Sequence, residues 1–204
     1  MKNNHPFVAG ITGGIGSGKT SAAKFFEDLG VPVYNSDTRA KNIQNEDQDV
    51  KSKIIEAFGD EAYNETGMNR PFIAKQVFQN QEKLNLLNSI VHPAVFNDFE
   101  KWKQQQTSNI VMKEAAILIE SGSYKDCNVV ISVLVDLEKR IERTMMRDGF
   151  TREEVLSRIA KQISDEERIS KSDFVIDNNG DLDHLKNEVE QTLFKIKKLI
   201  SSQS

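Results

Sequence analysis

The sequence contains very little cysteine: Cys127 is the one cysteine among 204 residues. A single cysteine cannot form an intramolecular disulfide, so the chain does not resemble a disulfide-stabilised secreted domain, and a reducing compartment suits it. Long apolar runs are missing too, since no segment approaches the roughly 20 apolar residues that span a bilayer. The first residues carry no apolar stretch of the kind that a secretory leader has. These absences predict a cytoplasmic protein that does not associate with membranes.

Positive charge is not in excess either. Lysine and arginine together number 27 against 31 aspartates and glutamates, for a net charge of −4. Nucleic-acid-binding domains usually carry a basic surface, so we expect no nucleic-acid partner, and nothing in the sequence calls for an obligate protein partner. Hydrophobic residues make up 38% and charged residues 28% of the chain, which is typical of a folded globular protein.

A glycine-rich segment lies near the start of the chain. Residues 13–20 read GGIGSGKT and fill every fixed position of the phosphate-loop pattern G-x-x-x-x-G-K-[ST]. The run FVAGIT before it predicts a buried strand, and KTSAAKFFEDL after it predicts a helix. Such a loop binds phosphate through backbone amides and a helix N-terminus, while its lysine contacts the β- and γ-phosphates and its hydroxyl binds Mg²⁺. We therefore predict an ATP site, with Mg²⁺ at Thr20 and a catalytic Lys19, at these residues: Gly14, Ile15, Gly16, Ser17, Gly18, Lys19, Thr20 and Ser21.

The loop indicates a nucleotide but not a reaction. The sequence N-K-x-D, which reads guanine in GTPases, is absent from the chain, and so is the L-S-G-G-Q of transporter ATPases. A small-molecule kinase with a lid fits the length of the chain and the arginine-rich segment that follows residue 137. A kinase acting on a nucleoside or a sugar acid and a nucleotide-sensing switch are the alternatives.

Strand-like and helix-like segments alternate, which predicts an α/β fold: a phosphate-loop protein with a five-stranded parallel sheet flanked by helices. The predicted strands are residues 7–12, 31–37, 109–118, 128–136 and 173–177. Between them, residues 38–106 show mainly helical patterns, so we predict a helical domain inserted in a core made of residues 1–37 and 107–204. Within the core, residues 137–162 are the predicted lid.

Asp37 ends the second predicted strand. Ligands of parallel sheets gather beyond the carboxyl ends of the strands, so this carboxylate is placed to accept a proton from an attacking hydroxyl. Aspartate is also a favoured helix N-cap, and a helical pattern follows directly. The residues themselves leave both interpretations open.

Three arginines share one face of the helix predicted after residue 137. Arg140, Arg143 and Arg147 are separated by three and four positions. Their guanidinium groups are suited to closing over a transferred phosphate as parts of a lid. Pairing with Glu138 and Glu142 on a solvated helix is the alternative, and we favour the lid.

Taken together, these motifs resemble the dephospho-coenzyme A kinase family. The matching segments cover most of the chain in the family's order: TGGIGSGKT, VYNSD, NRPFIAKQVF, LLNSIVHPAV, ILIESGSYK, RTMMRDGFT and KQISDEERISKSDFVIDNNG. The resemblance implies ATP-dependent phosphorylation of the ribose 3′-hydroxyl of dephospho-CoA, the last step of coenzyme A biosynthesis. It also implies that the inserted helical domain binds the CoA substrate.

The resemblance assigns roles to further residues. It favours catalysis for Asp37, and it implies lid arginines at Arg143 and Arg147. It also implies contacts with the acceptor at Asp37, Arg70 and His92, and with ATP at Asn178. Glu114 stands where many members carry an acid that can bind Mg²⁺, although a solvated glutamate at a strand end is equally consistent. The chain departs from the family at Asn35, where many members carry a first aspartate.

Overall fold

The computed structural model describes residues 6–78 and 80–202. The strands are β1 (Phe7–Thr12), β2 (Val33–Asn35), β3 (Tyr63–Asn64), β4 (Gly67–Met68), β5 (Ile110–Glu114), β6 (Val129–Leu134) and β7 (Phe174–Asp177). The helices are α1 (Lys19–Asp28), α2 (Ser36–Glu46), α3 (Gln48–Phe58), α4 (Arg70–Val77), α5 (Gln81–Gln104), α6 (Leu137–Asp148), α7 (Arg152–Ile159), α8 (Asp165–Ser170) and α9 (Leu182–Ser202). Within these two ranges, no helix is both long enough and apolar enough to cross a membrane.

Five strands form one parallel sheet in the order β2-β5-β1-β6-β7. This sheet confirms the predicted α/β fold. Four of the five predicted strands extend beyond the observed ones. The excess is largest for β2, which stops at Asn35, and for β5, which stops at Glu114. Asn35 and Ile11 are both register partners of Glu114, so the three neighbouring strands reach this level together. Beyond this level β1 still pairs with β6 through Thr12, while Ser36 begins a helix.

The chain forms two compact units, and the sheet belongs to the first, which contains the described residues up to Asn35 and from Gln106 onward. One large group of buried apolar side chains in this unit comes mainly from the sheet and from α1 and α9: Ala9, Ile11, Ala22, Ala23, Phe26, Val31, Ile110, Met112, Val129, Ile131, Val133, Ile176, Leu185, Val189, Leu193 and Ile196. A second, smaller group contains Ala115, Leu118 and Val130. Since Val130 alternates with Val129 and Ile131 along β6, the sheet is buried on both faces, as a parallel sheet requires.

The second unit, Ser36–Gln105, is mainly helical. Helices α2 to α5 enclose their own core of Ile43, Val50, Ile54, Ala62, Ile73 and Val91. The two-residue strands β3 and β4 pair antiparallel, a short hairpin that the apolar pattern did not predict. Helix α5 continues through Pro93. That this unit binds the acceptor stays a prediction.

Candidate active site

The glycine-rich loop connects β1 to α1 in the first unit. Gly16 and Gly18 have φ angles of +76° and +84°, a backbone region that glycine enters without steric cost. Helix α1 begins at Lys19, and no described side chain caps it through a hydrogen bond. The first turn of a helix has amides without acceptors in the helix itself, and the helix dipole favours negative charge at this end, so the start of α1 suits an anion.

Three side chains meet at the carboxylate of Glu114, the last residue of β5. Its Oε1 accepts hydrogen bonds from Lys19 Nζ at 2.8 Å and from Thr20 Oγ1 at 2.7 Å. Its Oε2 accepts from Asn35 Nδ2 at 2.7 Å. The Glu114 side chain is only 2% exposed, so the alternative of a solvated strand-end glutamate is wrong. The sheet explains the cluster, since β2 and β5 end at the same level beside the loop that follows β1.

The same cluster fits a magnesium ion held mainly by its nucleotide. Thr20 Oγ1 and the Glu114 carboxylate are adjacent oxygen donors, the ligand type that Mg²⁺ prefers. Among the described residues, no group of three or more His, Cys, Asp or Glu side chains is placed to bind a metal. In nucleotide sites Mg²⁺ takes one or two protein ligands together with phosphate oxygens and water, so these two residues are sufficient. A cavity of about 180 Å³ adjoins them and is lined by Thr20, Ala23, Lys24, Glu27, Val33, Asn35 and Glu114.

Asn178 and Arg143 lie on another side of the loop. Asn178 is 5% exposed, and its Nδ2 donates to the carbonyl oxygen of Ser17 at 2.7 Å. Arg143 Nη2 donates to the carbonyl oxygen of Asn178 at 3.2 Å. A Cβ atom on Gly18 would collide with Asn178 Nδ2 and would lie 3.7 Å from Arg143 Nη1. The structure thus brings both predicted residues to the loop, with Asn178 bonded to its backbone. Their contacts with ATP stay predictions.

Arg147 has a different environment from Arg143. Its side chain is 64% exposed, and Nε and Nη2 donate to the two carboxylate oxygens of Asp148 at 2.8 and 2.7 Å. The pairing raises the pKa of Arg147 and lowers the pKa of Asp148. To contact a transferred phosphate, Arg147 would have to break its hydrogen bonds with Asp148. Its lid role stays a prediction.

The remaining predicted residues belong to the second unit. Asp37 is the second residue of α2 and lies in its first turn, so the N-cap position comes before it. Arg70 begins α4, and its Nη1 donates to Gln44 Oε1 at 3.3 Å. His92 lies half-buried in α5, where burial lowers its pKa. The functions of these residues stay predictions.

Two further side chains contact the loop: Arg140, which the sequence groups with the lid arginines, and Gln162, which has no predicted role. Arg140 Nε donates to the carbonyl oxygen of Ile15 at 3.1 Å, and Gln162 Oε1 accepts from the Ile15 amide at 2.9 Å. Helical spacing places Arg140, Arg143 and Arg147 on one face. It does not show which of these arginines contacts the loop. No sequence signal identified Gln162, which is 147 positions from its partner.

Comparisons with known proteins identify the family of the chain. The family model described as dephospho-CoA kinase matches residues 7–184. A dephospho-CoA kinase of Fusobacterium nucleatum is 38% identical over 185 residues, covering 90% of this chain and 95% of that protein. One of Chlorobium chlorochromatii is 39% identical over 199 residues, covering 94% of each. The crystal structure of TT1252 from Thermus thermophilus has a TM-score of 0.84 at 31% identity and covers 94% of this chain and 98% of its own. A shikimate kinase from Acinetobacter baumannii shares the fold alone. Its structure has a TM-score of 0.58 at 17% identity and covers 98% of this chain and 96% of its own. The chain belongs to the dephospho-CoA kinase family.

Proposed function

We propose that the protein transfers the γ-phosphoryl group of ATP to the ribose 3′-hydroxyl of dephospho-CoA, which gives coenzyme A and ADP. The observation that carries the proposal is the phosphate loop whose Lys19 and Thr20 meet the buried carboxylate of Glu114. It occurs in a chain that matches its family from residue 7 to residue 184. The lone cysteine is consistent with action in the cytoplasm.

The loop and the start of α1 supply the nucleotide site. Backbone amides of the loop and of the first turn of α1, with those of Gly16 and Gly18 among them, bind the β- and γ-phosphates, helped by the dipole of α1. Lys19 transfers its hydrogen bond from Glu114 to a phosphate oxygen when ATP binds. Thr20 and Glu114 would hold Mg²⁺, and the ion would supply positive charge that offsets the negative charge of the phosphates.

Asp37 acts on the acceptor in this proposal. Its carboxylate accepts the proton of the 3′-hydroxyl while the hydroxyl oxygen forms a bond to the γ-phosphorus. The bond between that phosphorus and the β,γ-bridging oxygen breaks, and ADP leaves with the electron pair. Arg143 and Arg147 stabilise the charge on the transferring group. The protein contributes mainly position and charge, since phosphoryl transfer demands little covalent chemistry from it.

The helical second unit is the proposed binding domain for the CoA part of the acceptor. Arg70 lies exposed at the start of α4, where its guanidinium suits a phosphate of the substrate. His92 is the further candidate contact, from α5.

A coupled assay for ADP with ATP·Mg²⁺ and dephospho-CoA tests the proposal. We expect ADP release that depends on dephospho-CoA, and a product with one added phosphoryl group that NMR locates on the ribose 3′-oxygen. Shikimate and gluconate serve as comparison acceptors and should give no release. Turnover with either of them and not with dephospho-CoA would indicate a different kinase. Tight ATP binding without turnover on any acceptor would indicate a nucleotide-sensing switch.

A further inference from the structure

Arg140 is a buried cation whose guanidinium is shared among three neighbours. It is 5% exposed on α6. Its Nε donates to the Ile15 carbonyl oxygen at 3.1 Å, its Nη2 to Gln162 Oε1 at 3.3 Å, and its Nη1 to Asp165 Oδ2 at 3.1 Å. Burial lowers the pKa of Arg140, and the Asp165 carboxylate offsets part of this effect. All three guanidinium nitrogens are therefore engaged inside the protein, and Asp165 balances the charge.

Gln162 completes the contact with the loop. Its Oε1 accepts from Arg140 Nη2 and also from the backbone amide of Ile15, at 2.9 Å. Side chains thus hold both polar groups of the Ile15 main chain. Gly14 makes this approach possible, because a Cβ atom there would collide with the Arg140 guanidinium. The glycine is needed for contact with a side chain as well as for contact with a phosphate.

Because the peptide group is planar, the contact at the Ile15 carbonyl also fixes the direction of the next amide in the loop. The carbonyl of Ile15 and the amide of Gly16 belong to one trans peptide, so they point in opposite directions. When Arg140 fixes the carbonyl on its own side, the Gly16 amide is fixed on the opposite side. We propose that Arg140 and Gln162 are positioning residues that hold the Ile15 backbone so that the Gly16 amide is aimed at a phosphate of the nucleotide.

A second contact in the loop repeats this arrangement two residues later. Asn178 Nδ2 donates to the Ser17 carbonyl oxygen at 2.7 Å, which fixes the peptide that carries the Gly18 amide. Alternate carbonyls of the loop are thus held by side chains from distant elements, and alternate amides face the other way. Gly14, Gly16 and Gly18 would otherwise leave this backbone free to rotate. Donors that are oriented before the ligand arrives bind it without a cost of ordering.

Gln162→Met tests the proposal, because methionine keeps the length and volume but cannot accept the two hydrogen bonds. We expect the Kd for ADP·Mg²⁺, measured by calorimetry, to rise about tenfold, the equivalent of about 1.4 kcal/mol. The KM for dephospho-CoA should change less than about twofold, while kcat/KM for ATP falls with the nucleotide affinity. Gln191→Met is the matched control, since Gln191 is exposed on α9, and it should bind ADP as the unchanged protein does.

Gln162→Glu is the rescue variant. A carboxylate accepts from both donors, and the adjacent Arg140 guanidinium neutralises its charge, so ADP affinity should stay within about threefold of the original. A purely structural role would instead lower the melting temperature of the methionine variant and leave its ADP affinity unchanged. That result, or equal weakness of the two variants, would overturn the proposal. The inference rests on the nucleotide binding in the proposed function, and an unchanged protein that fails to bind ADP would refute that function instead.

Discussion

The ammonium group of Lys19 donates a hydrogen bond to Glu114 Oε1 at 2.8 Å, across 95 positions of sequence. Both groups are shielded from water, because the Lys19 side chain is 13% exposed and that of Glu114 is 2% exposed. The lysine that the loop motif assigns to ATP thus has a protein carboxylate as a partner. In the proposed function this contact holds the cation near the phosphates, and Thr20 and Asn35 would remain as donors to Glu114 after Lys19 turns to ATP.

Lys19→Ala should abolish turnover and leave the protein folded. The variant loses the cation for the β- and γ-phosphates, while Glu114 keeps two other hydrogen-bond donors. The coupled ADP assay and a thermal melt measure the two effects. Lys171→Ala is the control, because Lys171 is 36% exposed and pairs with Glu167 on α8, away from the cavity beside Glu114. Near-normal activity of Lys19→Ala would rule out the loop as the catalytic site.

Glu114→Gln should raise the Mg²⁺ concentration that the enzyme needs. Glutamine preserves the shape but removes the charge, so we expect the Mg²⁺ concentration for half-maximal rate to rise about tenfold or more. Calorimetry of ATP binding at several Mg²⁺ concentrations gives a second measurement that does not depend on turnover. An unchanged magnesium dependence in both measurements would exclude Glu114 from the metal site.

Arg143→Ala and Arg147→Ala should lower kcat more than they raise KM. Lid arginines act on charge that develops in the transition state, so at least one substitution should cost on the order of 10³-fold in kcat. Steady-state kinetics with both substrates measures the division between kcat and KM. Arg152→Ala is the control, since Arg152 pairs with Glu138 at the surface. If both variants change KM alone, these arginines bind substrate and do not stabilise the transition state.

Asp37→Asn distinguishes a general base from a residue that stabilises the start of α2. As a base, Asp37 contributes roughly 10²–10⁴-fold to kcat, with the lower end favoured by a dissociative transition state. As a negative charge in the first helical turn, it contributes only about 0.3–1 kcal/mol to stability. We therefore expect a large loss of kcat with ATP affinity and melting temperature almost unchanged. A rate within about threefold of the original would leave Asp37 with a helical role alone.

His92 should make the protein less stable in mild acid. Burial places its pKa in the folded state below the ordinary value of 6.5. The unfolded chain therefore binds more protons as the pH falls below that value, and the free energy of unfolding decreases towards the folded pKa. Melting temperatures at about pH 8 and about pH 5.5 should differ less in His92→Gln than in the original protein. His184→Gln, at a histidine that is 40% exposed, is the control. Equal pH dependence with and without His92 would contradict the expectation.

Much of the fold could be predicted from the sequence because its signals are local. The apolar run at residues 7–12 is β1 at the predicted bounds. The pattern Thr-x-x-Glu at residues 151–154 is typical of a capping box, and Glu154 does bond back to the Thr151 amide. The loop motif predicts a phosphate site from eight adjacent residues, and the structure has this loop between β1 and α1.

The environments of single polar side chains could not be predicted in this way, because they depend on contacts between distant segments. Glu114 lies at a strand end, and its sequence context fits a solvated carboxylate as well as the buried one observed. Its environment follows from the register of β1, β2 and β5, which brings Asn35 and the loop to the same level. Hydrophobic patterns predict that strands exist, but they do not specify which strands become neighbours or where each ladder ends.

The arginines of α6 show the same limit most clearly. Their spacing correctly predicts one helical face, yet Arg140 is buried against the loop and Arg147 is largely exposed. Position along the helix separates them, because Arg140 lies one turn from its start and Arg147 lies at its end. Periodicity is a property of one helix and is readable from its residues. Burial of a charge also needs acceptors, and Ile15, Gln162 and Asp165 reach Arg140 only once the chain has folded around it.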